Sequence, residues 1–434
     1  MAKTPKLSKT VSASNLVQLG ETKLTALLLD AADWDPILKR RLRMELAAAI
    51  SPGDLALELD KRLDSLAESR ARISWRKRPE LIREAEMLRG LIAEPLKEAD
   101  ARLALDRMVS WFDLGGPLAA RTKDPRGELQ VMIEDALPDL AAVTKAAGAA
   151  VTAPVLADAV LTRATPWASL IGRVVDDLEP ELVEALLARL APAADKVTKI
   201  ALLVRRLAAR TGAVDVWLAT FTPEDLRRPA VAAEAATRLA GAGRAAEARA
   251  ALEAGRAPPP SPGRKLWGGK TAEPQAPSDA FAEAEIAVLT AEGRTEEAAE
   301  AHWMLFERTL DPEVLKAITA GMADFDDVIA VDRAVAYART YFDLNRALRL
   351  LMAWGALRDA AETITARADE LNGRAEEFPL WASRLAAKWP QAAGLLLRGR
   401  IKALRAMGTR GVEMEALEAE AEALGEIMPG RLSG

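Results

Sequence analysis

Cysteine is absent from the 434 residues. This excludes a disulfide framework, a thiolate nucleophile and any cysteine-ligated metal. Histidine occurs once, at His302. A lone imidazole beside Glu297, Glu300 and Glu307 has no second imidazole or thiolate with which to hold a transition metal, so it reads as a packed or surface residue next to Trp303. Aromatic residues make up only 4%, and the ten tryptophans outnumber seven phenylalanines and two tyrosines. Runs of β-branched residues are almost missing, which argues against a sheet. The formal net charge of −5 is too near balance to imply a nucleic-acid or membrane partner for the chain as a whole. Long apolar runs are missing too. Leu24 to Leu29 is typical, far short of the roughly 20 residues of a membrane span, so no membrane partner is expected. The opening MAKTPKLSKTVSASNLVQLG has three lysines but no apolar core before a cleavage site, so no signal peptide is expected and a cytoplasmic location is.

What is present is alanine, leucine, glutamate and arginine, the strong helix formers. With 50% apolar and 28% charged residues, the composition predicts a folded all-α protein. The pattern is clearest from Asp279 to Ile318. Two helices are predicted about a hinge at Gly293-Arg294, with Phe281, Ala284, Ala287 and Val288 facing inward on the first and Ala298, Ala301, Met304 and Leu305 on the second. A third begins at Asp311-Pro312. Such a hairpin cannot bury its apolar stripe alone and must stack on neighbours. Ala242-Gly243-Arg244-Ala245-Ala246-Glu247-Ala248 aligns with Glu292-Gly293-Arg294-Thr295-Glu296-Glu297-Ala298, and Gly355 to Ala360 is a looser third copy. The predicted fold is an α-solenoid of stacked helical hairpins, tetratricopeptide-like, with about 20 helices.

Start signals recur along the chain. Asp35-Pro36 and Ser51-Pro52-Gly53-Asp54 each pair a capping side chain with proline at the first helical position. Leu38, Leu42 and Leu46 are predicted to be the buried stripe of the first of these helices, and Leu55, Leu59, Leu63 and Leu66 that of the second. Pro79 and Pro95 are predicted to open further helices, the latter closed by Leu114-Gly115-Gly116-Pro117. The expected organisation is a disordered tail (1–12), an N-terminal bundle (13–150), a hairpin array (151–254), a linker or loop (255–278) and C-terminal hairpin repeats (279–434). The linker holds six prolines and four glycines.

Several stretches carry a resemblance: Asn15-Leu16 with Leu19-Gly20, Leu24 to Leu29, Leu38 to Leu42, Trp75 to Arg78, Gly293 to Ala298 with Phe306 to Leu310, and Asp324 to Asp327. Through them the chain resembles a proteobacterial all-helical family known as a domain of unknown function, over roughly 15–95 and 225–405. Its C-terminal half is similar to the helical repeats that accompany SWIM-type zinc fingers. The finger itself is missing, since it requires cysteine. The resemblance implies an all-α fold and brings no catalytic residue.

Four features invite a chemical reading. From Lys61 to Arg83, eight basic residues face three acidic ones, with Lys39, Arg40, Arg41 and Arg43 on the preceding helix. Arginine at this density grips phosphates. The candidate polyanion-binding set is Lys39, Arg40, Arg41, Arg43, Arg70, Arg72, Arg76, Lys77 and Arg78, with Trp75 placed to stack on a base or to cover the core. In the linker, Arg264, Lys265 and Lys270 around Trp267 form a candidate docking segment, an aromatic anchor among polar residues. Gly268-Gly269-Lys270-Thr271 imitates the end of a phosphate-binding loop. The glycine that motif needs earlier is Arg264, and prolines stand where a strand should, so a plain loop is expected. Asp324, Asp326 and Asp327 cluster where a helix should start, the place where aspartate caps.

These observations point to a non-enzymatic scaffold for protein–protein interaction, with a protein partner and no cofactor. The alternatives are nucleic-acid or other polyanion binding through residues 39–83, and an enzyme working with carboxylates alone.

Overall fold

The computed structural model describes residues 9–256, 278–323, 325–372, 376–408 and 412–426. The docking segment Arg264 to Lys270, the phosphate-loop imitation and Asp324 lie outside the described residues. The fold is all-α: no strand occurs among the described residues, and the only extended pairing there is a parallel bridge between Ile73 and Thr122. The chain divides into two compact units, Met1–Phe221 and Thr222–Gly434. The border expected near residue 150 falls inside the helix Ala149–Thr162.

In the N-terminal unit the predicted caps are formed. Asp35 accepts from the backbone N–H of Ile37 at 2.9 Å, opening Pro36–Ile50. Ser51 accepts from Asp54 N–H at 3.1 Å, opening Pro52–Glu68. Leu55, Leu59, Leu63 and Leu66 are buried as expected. The stripe predicted for Pro36–Ile50 is wrong by part of a turn. Ile37, Met44 and Ala47 are buried, whereas Leu46 is 69% exposed. The helix is rotated so that Arg40 can reach a buried carboxylate, described below.

Proline at 95 does not open a helix. It sits in a π-helical turn, Ile92–Leu96, that continues Arg78–Leu91. Its missing N–H is tolerated because the wider turn already departs from the i→i−4 ladder. The next long helix, Ala101–Asp113, instead starts at Asp100, which accepts from Arg102 and Leu103 N–H at 3.0 Å each. That helix closes at Leu114 as expected, and Gly115 and Gly116 follow at once in a new helix. They begin a short helix, Gly115–Arg121, because Pro117 suits a first turn and Leu118 is buried in the core. At the centre of the unit Trp111, Phe112 and Trp167 meet edge to face, with centroids 5.2 and 6.0 Å apart. Both indoles find acceptors, Ala85 O and an Asp113 carboxylate oxygen, each at 2.8 Å, as a buried indole requires.

In the C-terminal unit the glycine turns behave as their sequence pattern implies. Gly243, Gly293 and Gly355 all adopt positive φ, between 72° and 75°. The next residue's N–H bonds back to the carbonyl five positions earlier: Arg244 to Leu239, Arg294 to Leu289 and Ala356 to Leu351, at 2.9–3.0 Å. This closure satisfies orphan carbonyls at a helix end and favours glycine. The alanine five residues past each glycine, Ala248, Ala298 and Ala360, is buried. Thus Asp279–Ala291 and Thr295–Thr309 form about the predicted hinge, and Asp311 caps Pro312–Thr319 through Glu313 N–H at 2.9 Å. Met304 does not join the buried stripe. It is 66% exposed, and Phe306, fully buried, takes the inward position beside Leu305.

Candidate functional site

The basic stretch separates into two populations. Arg40 and Arg62 converge on one carboxylate. Arg62 reaches both oxygens of Glu84 at 2.7 Å, and Arg40 Nε lies 2.7 Å from Oε1. Glu84 is only 4% exposed, so this shared anion ties Pro36–Ile50 and Pro52–Glu68 to Arg78–Leu91. Arg78 is buried likewise. It donates to both oxygens of Glu128 at 2.8 and 2.9 Å and to Lys123 O at 2.8 Å. The Glu128 hydrogen bonds hold its guanidinium pKa above the ordinary value despite the cost of burial. Arg40 and Arg78 are therefore structural partners of internal carboxylates, not free cations. Lys39 pairs with Asp33 at 3.0 Å and Arg41 with Glu45 at 3.5 Å, both on the surface, where such pairs are weak and screened by salt.

Arg43, Arg70, Arg72 and Lys77 are exposed and have no carboxylate in ion-pair reach among the described residues. Arg76 lies over the Trp75 ring, 5.1 Å from its centroid, and is otherwise unpaired in the same sense. Trp75 is 68% exposed, so it does not cover the core. The Ser69–Lys77 segment that carries these groups is held firmly. Arg121 donates to Leu66 O at 2.7 Å, and Ile73 N–H donates to Arg121 O at 3.0 Å. Lys77 and Arg78 N–H close a turn onto Ser74 O, and Arg78 anchors the far end. Burial and the neighbouring Arg62 lower the Arg121 pKa.

The Ile73–Thr122 bridge brings in residues that sequence reasoning missed. Lys123 and Arg126 are exposed and form no ion pair among the described residues. The acid between them, Asp124, faces inward: it accepts from Leu129 N–H at 2.7 Å. Burial pushes its carboxyl up, but the N–H groups of Leu129, Glu128 and Arg126 together with Arg78 hold it below the ordinary range. No local signal links residue 73 to residue 122.

A second surface feature lies on the helix Glu21–Trp34. Eight of its 14 residues are Leu, Ala or Trp, yet only Ala32 is buried. Leu27, Leu28, Leu29 and Trp34 are 43%, 46%, 61% and 90% exposed, and on the next helix Leu46 and Ile50 are 69% and 75% exposed.

The other candidates stay local. His302 Nδ1 lies 3.0 Å from Ala298 O in its own helix. Asp326 and Asp327 occupy the first turn of Asp326–Arg339, where Asp327 accepts from Val328 N–H at 2.7 Å. No group of three metal-ligating side chains occurs among the described residues. A cavity of about 580 Å³ is lined by Phe112, Leu118, Met132, Ile133, Leu170 and Arg173. Another of equal volume lies among Arg249, Phe281, Glu285, Arg294, Glu297 and Met304. Two of its acids, Glu285 and Glu297, are paired. Arg249 donates to Glu292 at 2.7 and 2.9 Å and to Glu285 at 3.2 Å, and Arg294 pairs with Glu297. The Arg249 hydrogen bonds hold the Glu292 carboxyl down at about 2, and Arg294 lowers Glu297. A general acid needs the opposite shift.

The fold and these surfaces define an all-α protein built of short packed helices, with exposed apolar and basic features in its first 130 residues. The chain belongs to the DUF6880 family, a family of unknown function, whose model matches residues 6–199 and 191–409. No curated protein and no solved structure matches it.

Proposed function

We propose that the protein is a non-enzymatic helical-repeat scaffold that docks a partner protein on its N-terminal unit. The observation that carries this reading is the Glu21–Trp34 helix. Its Leu27, Leu28, Leu29 and Trp34 stay exposed although over half the helix is apolar, and large exposed apolar patches mark interaction sites. The neighbouring Pro36–Ile50 helix bears four basic residues and one acidic residue beside the exposed Leu46 and Ile50. Three of those basic residues are already paired, Lys39 with Asp33, Arg40 with Glu84 and Arg41 with Glu45, so a fitting partner presents chiefly an apolar helical seam. The recurrent glycine turns of the C-terminal unit support a tetratricopeptide-like solenoid, akin to the arrays beside SWIM-type zinc fingers in proteobacterial proteins. A cytoplasmic location belongs to the same reading.

The test is affinity purification from the native host, with and without nuclease, using the natural chain and a Leu27→Glu, Trp34→Glu variant in parallel. The scaffold reading expects a stoichiometric protein that survives nuclease and is lost from the variant. Recovery of the same proteins by both chains would sink the docking face. Light scattering on the purified chain reads the competing occupant, since a dimer broken by the variant would reassign the face to self-association.

A further inference from the structure

We infer that Arg70, Arg72, Arg76, Lys77, Lys123 and Arg126, with Trp75, form a binding surface for single-stranded nucleic acid. The inference is independent of the docking face.

Three observations carry it. The first is charge that stays free. Ser69 to Lys77 holds four cations and no acid. The nearest tertiary segment, Arg121 to Arg126, adds two exposed cations, while its single acid is turned inward onto Leu129 N–H. Elsewhere in the unit, arginines such as Arg40, Arg62, Arg78 and Arg107 reach carboxylates at 2.5–2.8 Å. A chain of net −5 that leaves these six unpaired maintains a local positive field against its own average.

The second is preorganisation. Both ends of the basic loop are tied to the second segment, through Arg121 to Leu66 O, Ile73 to Arg121 O, and Arg78 to Lys123 O and Glu128. Ordering a loop on binding costs free energy, and a loop already fixed avoids that cost. Arg78 and Arg121 serve as positioning residues: their guanidinium groups hold the backbone that displays the free cations.

The third is the aromatic. Trp75 is exposed amid cations, with Arg76 against its face at 5.1 Å. Cations that follow a backbone plus an aromatic that accepts any base are the two parts of single-strand recognition without sequence preference. A duplex offers no unstacked base to the indole. A lipid surface would ask for more apolar area to insert, and Trp75 is flanked in the loop by Ser69, Ser74 and basic residues.

The experiment is fluorescence anisotropy of the full chain with a labelled oligo(dT) and an oligo(U) of about 12 nucleotides, over a salt series. If all six cations neutralise phosphates, the slope of log K against log salt is about −4, a loss of roughly 300-fold between 50 and 200 mM. The variant R70A/R72A/R76A/K77A is expected to flatten the slope to near −1.5. Trp75→Ala is expected to weaken binding about tenfold without changing the slope, as loss of a stacked base should. Lys123→Ala with Arg126→Ala tests the second segment and should remove about 1.4 from the slope. These side chains support no packing, so an unchanged thermal midpoint confirms the fold of each variant. Absence of binding to either oligonucleotide at 50 mM salt overturns the inference. So does binding that none of the variants alters. Capture by phosphatidylserine vesicles without oligonucleotide binding overturns it in favour of a lipid surface.

Discussion

The helices Glu21–Trp34 and Pro229–Gly241 are both short and largely apolar, the first with four leucines and three alanines, the second with six alanines and one leucine, and they are opposite in environment. The first buries Ala32 alone. The second buries Ala232, Ala233, Ala235, Ala236, Leu239 and Ala240 beneath Ala245–Arg256 and Asp279–Ala291. The approach there is so close that a Cβ on Gly255 would stand 2.4 Å from the Ala232 methyl. Composition thus says how apolar a helix is, and only its neighbours decide whether it serves as core or as surface. Where small residues meet from both sides the chain covers its own helix. At Glu21–Trp34 no such partner is supplied among the described residues, and the apolar surface stays exposed.

That contrast yields a graded set of mutations. The largest effect is expected at Glu84, which lies beside the bare helix's neighbour. Glu84→Ala leaves Arg40 and Arg62 with no shared anion and should destabilise the N-terminal unit by about 3–5 kcal/mol, read by denaturant unfolding. If the loss were below about 1 kcal/mol, the view that this pair network holds the Pro36–Ile50 helix in its rotated setting would be wrong. Gly255→Val tests the covered helix. The clash with Ala232 and the nearby Phe281 ring should cost about 1–3 kcal/mol in the C-terminal unit, because overpacking forces backbone shifts.

Acid should then act on the covered side. Glu292 is held near 2 by Arg249 and Arg294. A carboxyl depressed in the folded state stabilises fully above its ordinary value near 4.5, and that contribution fades as pH falls through the folded value. After solvent screening it amounts to about 1 kcal/mol, lost between roughly pH 5 and pH 2. Glu292→Gln should remove that part of the pH dependence. The smallest effect is expected on the bare helix: Leu28→Ser with Leu29→Ser should alter stability by no more than about 0.5 kcal/mol, since these side chains give up little burial. A loss of 2 kcal/mol there would mean the helix is covered after all.

Much of the architecture could be read from neighbouring residues. Asp35-Pro36, Ser51-Pro52 and Asp311-Pro312 start helices because a side-chain acceptor and a ring-locked φ act within four residues. Gly243 and Gly293 end them because a left-handed residue is needed at one position. Less legible was the direction each helix faces. The spacing of Leu38, Leu42 and Leu46 is as good a stripe as that of Ile37, Met44 and Ala47, and the choice rests with Glu84, some 40 residues away in sequence. Likewise an arginine in a basic run has the same local signature whether it stays free, as Arg72 does, or reaches Glu128 fifty residues on, as Arg78 does.

The all-α class, the helix starts at Asp35, Ser51 and Asp311 and the glycine turns were thus determined by the sequence itself, since propensity, capping and backbone conformation act over a few residues. The tertiary structure alone decided which helix goes uncovered, which cations are neutralised internally, and that Lys123 and Arg126 stand beside the Arg70 to Lys77 loop. Those outcomes depend on contacts between distant segments, whose energies no local pattern contains.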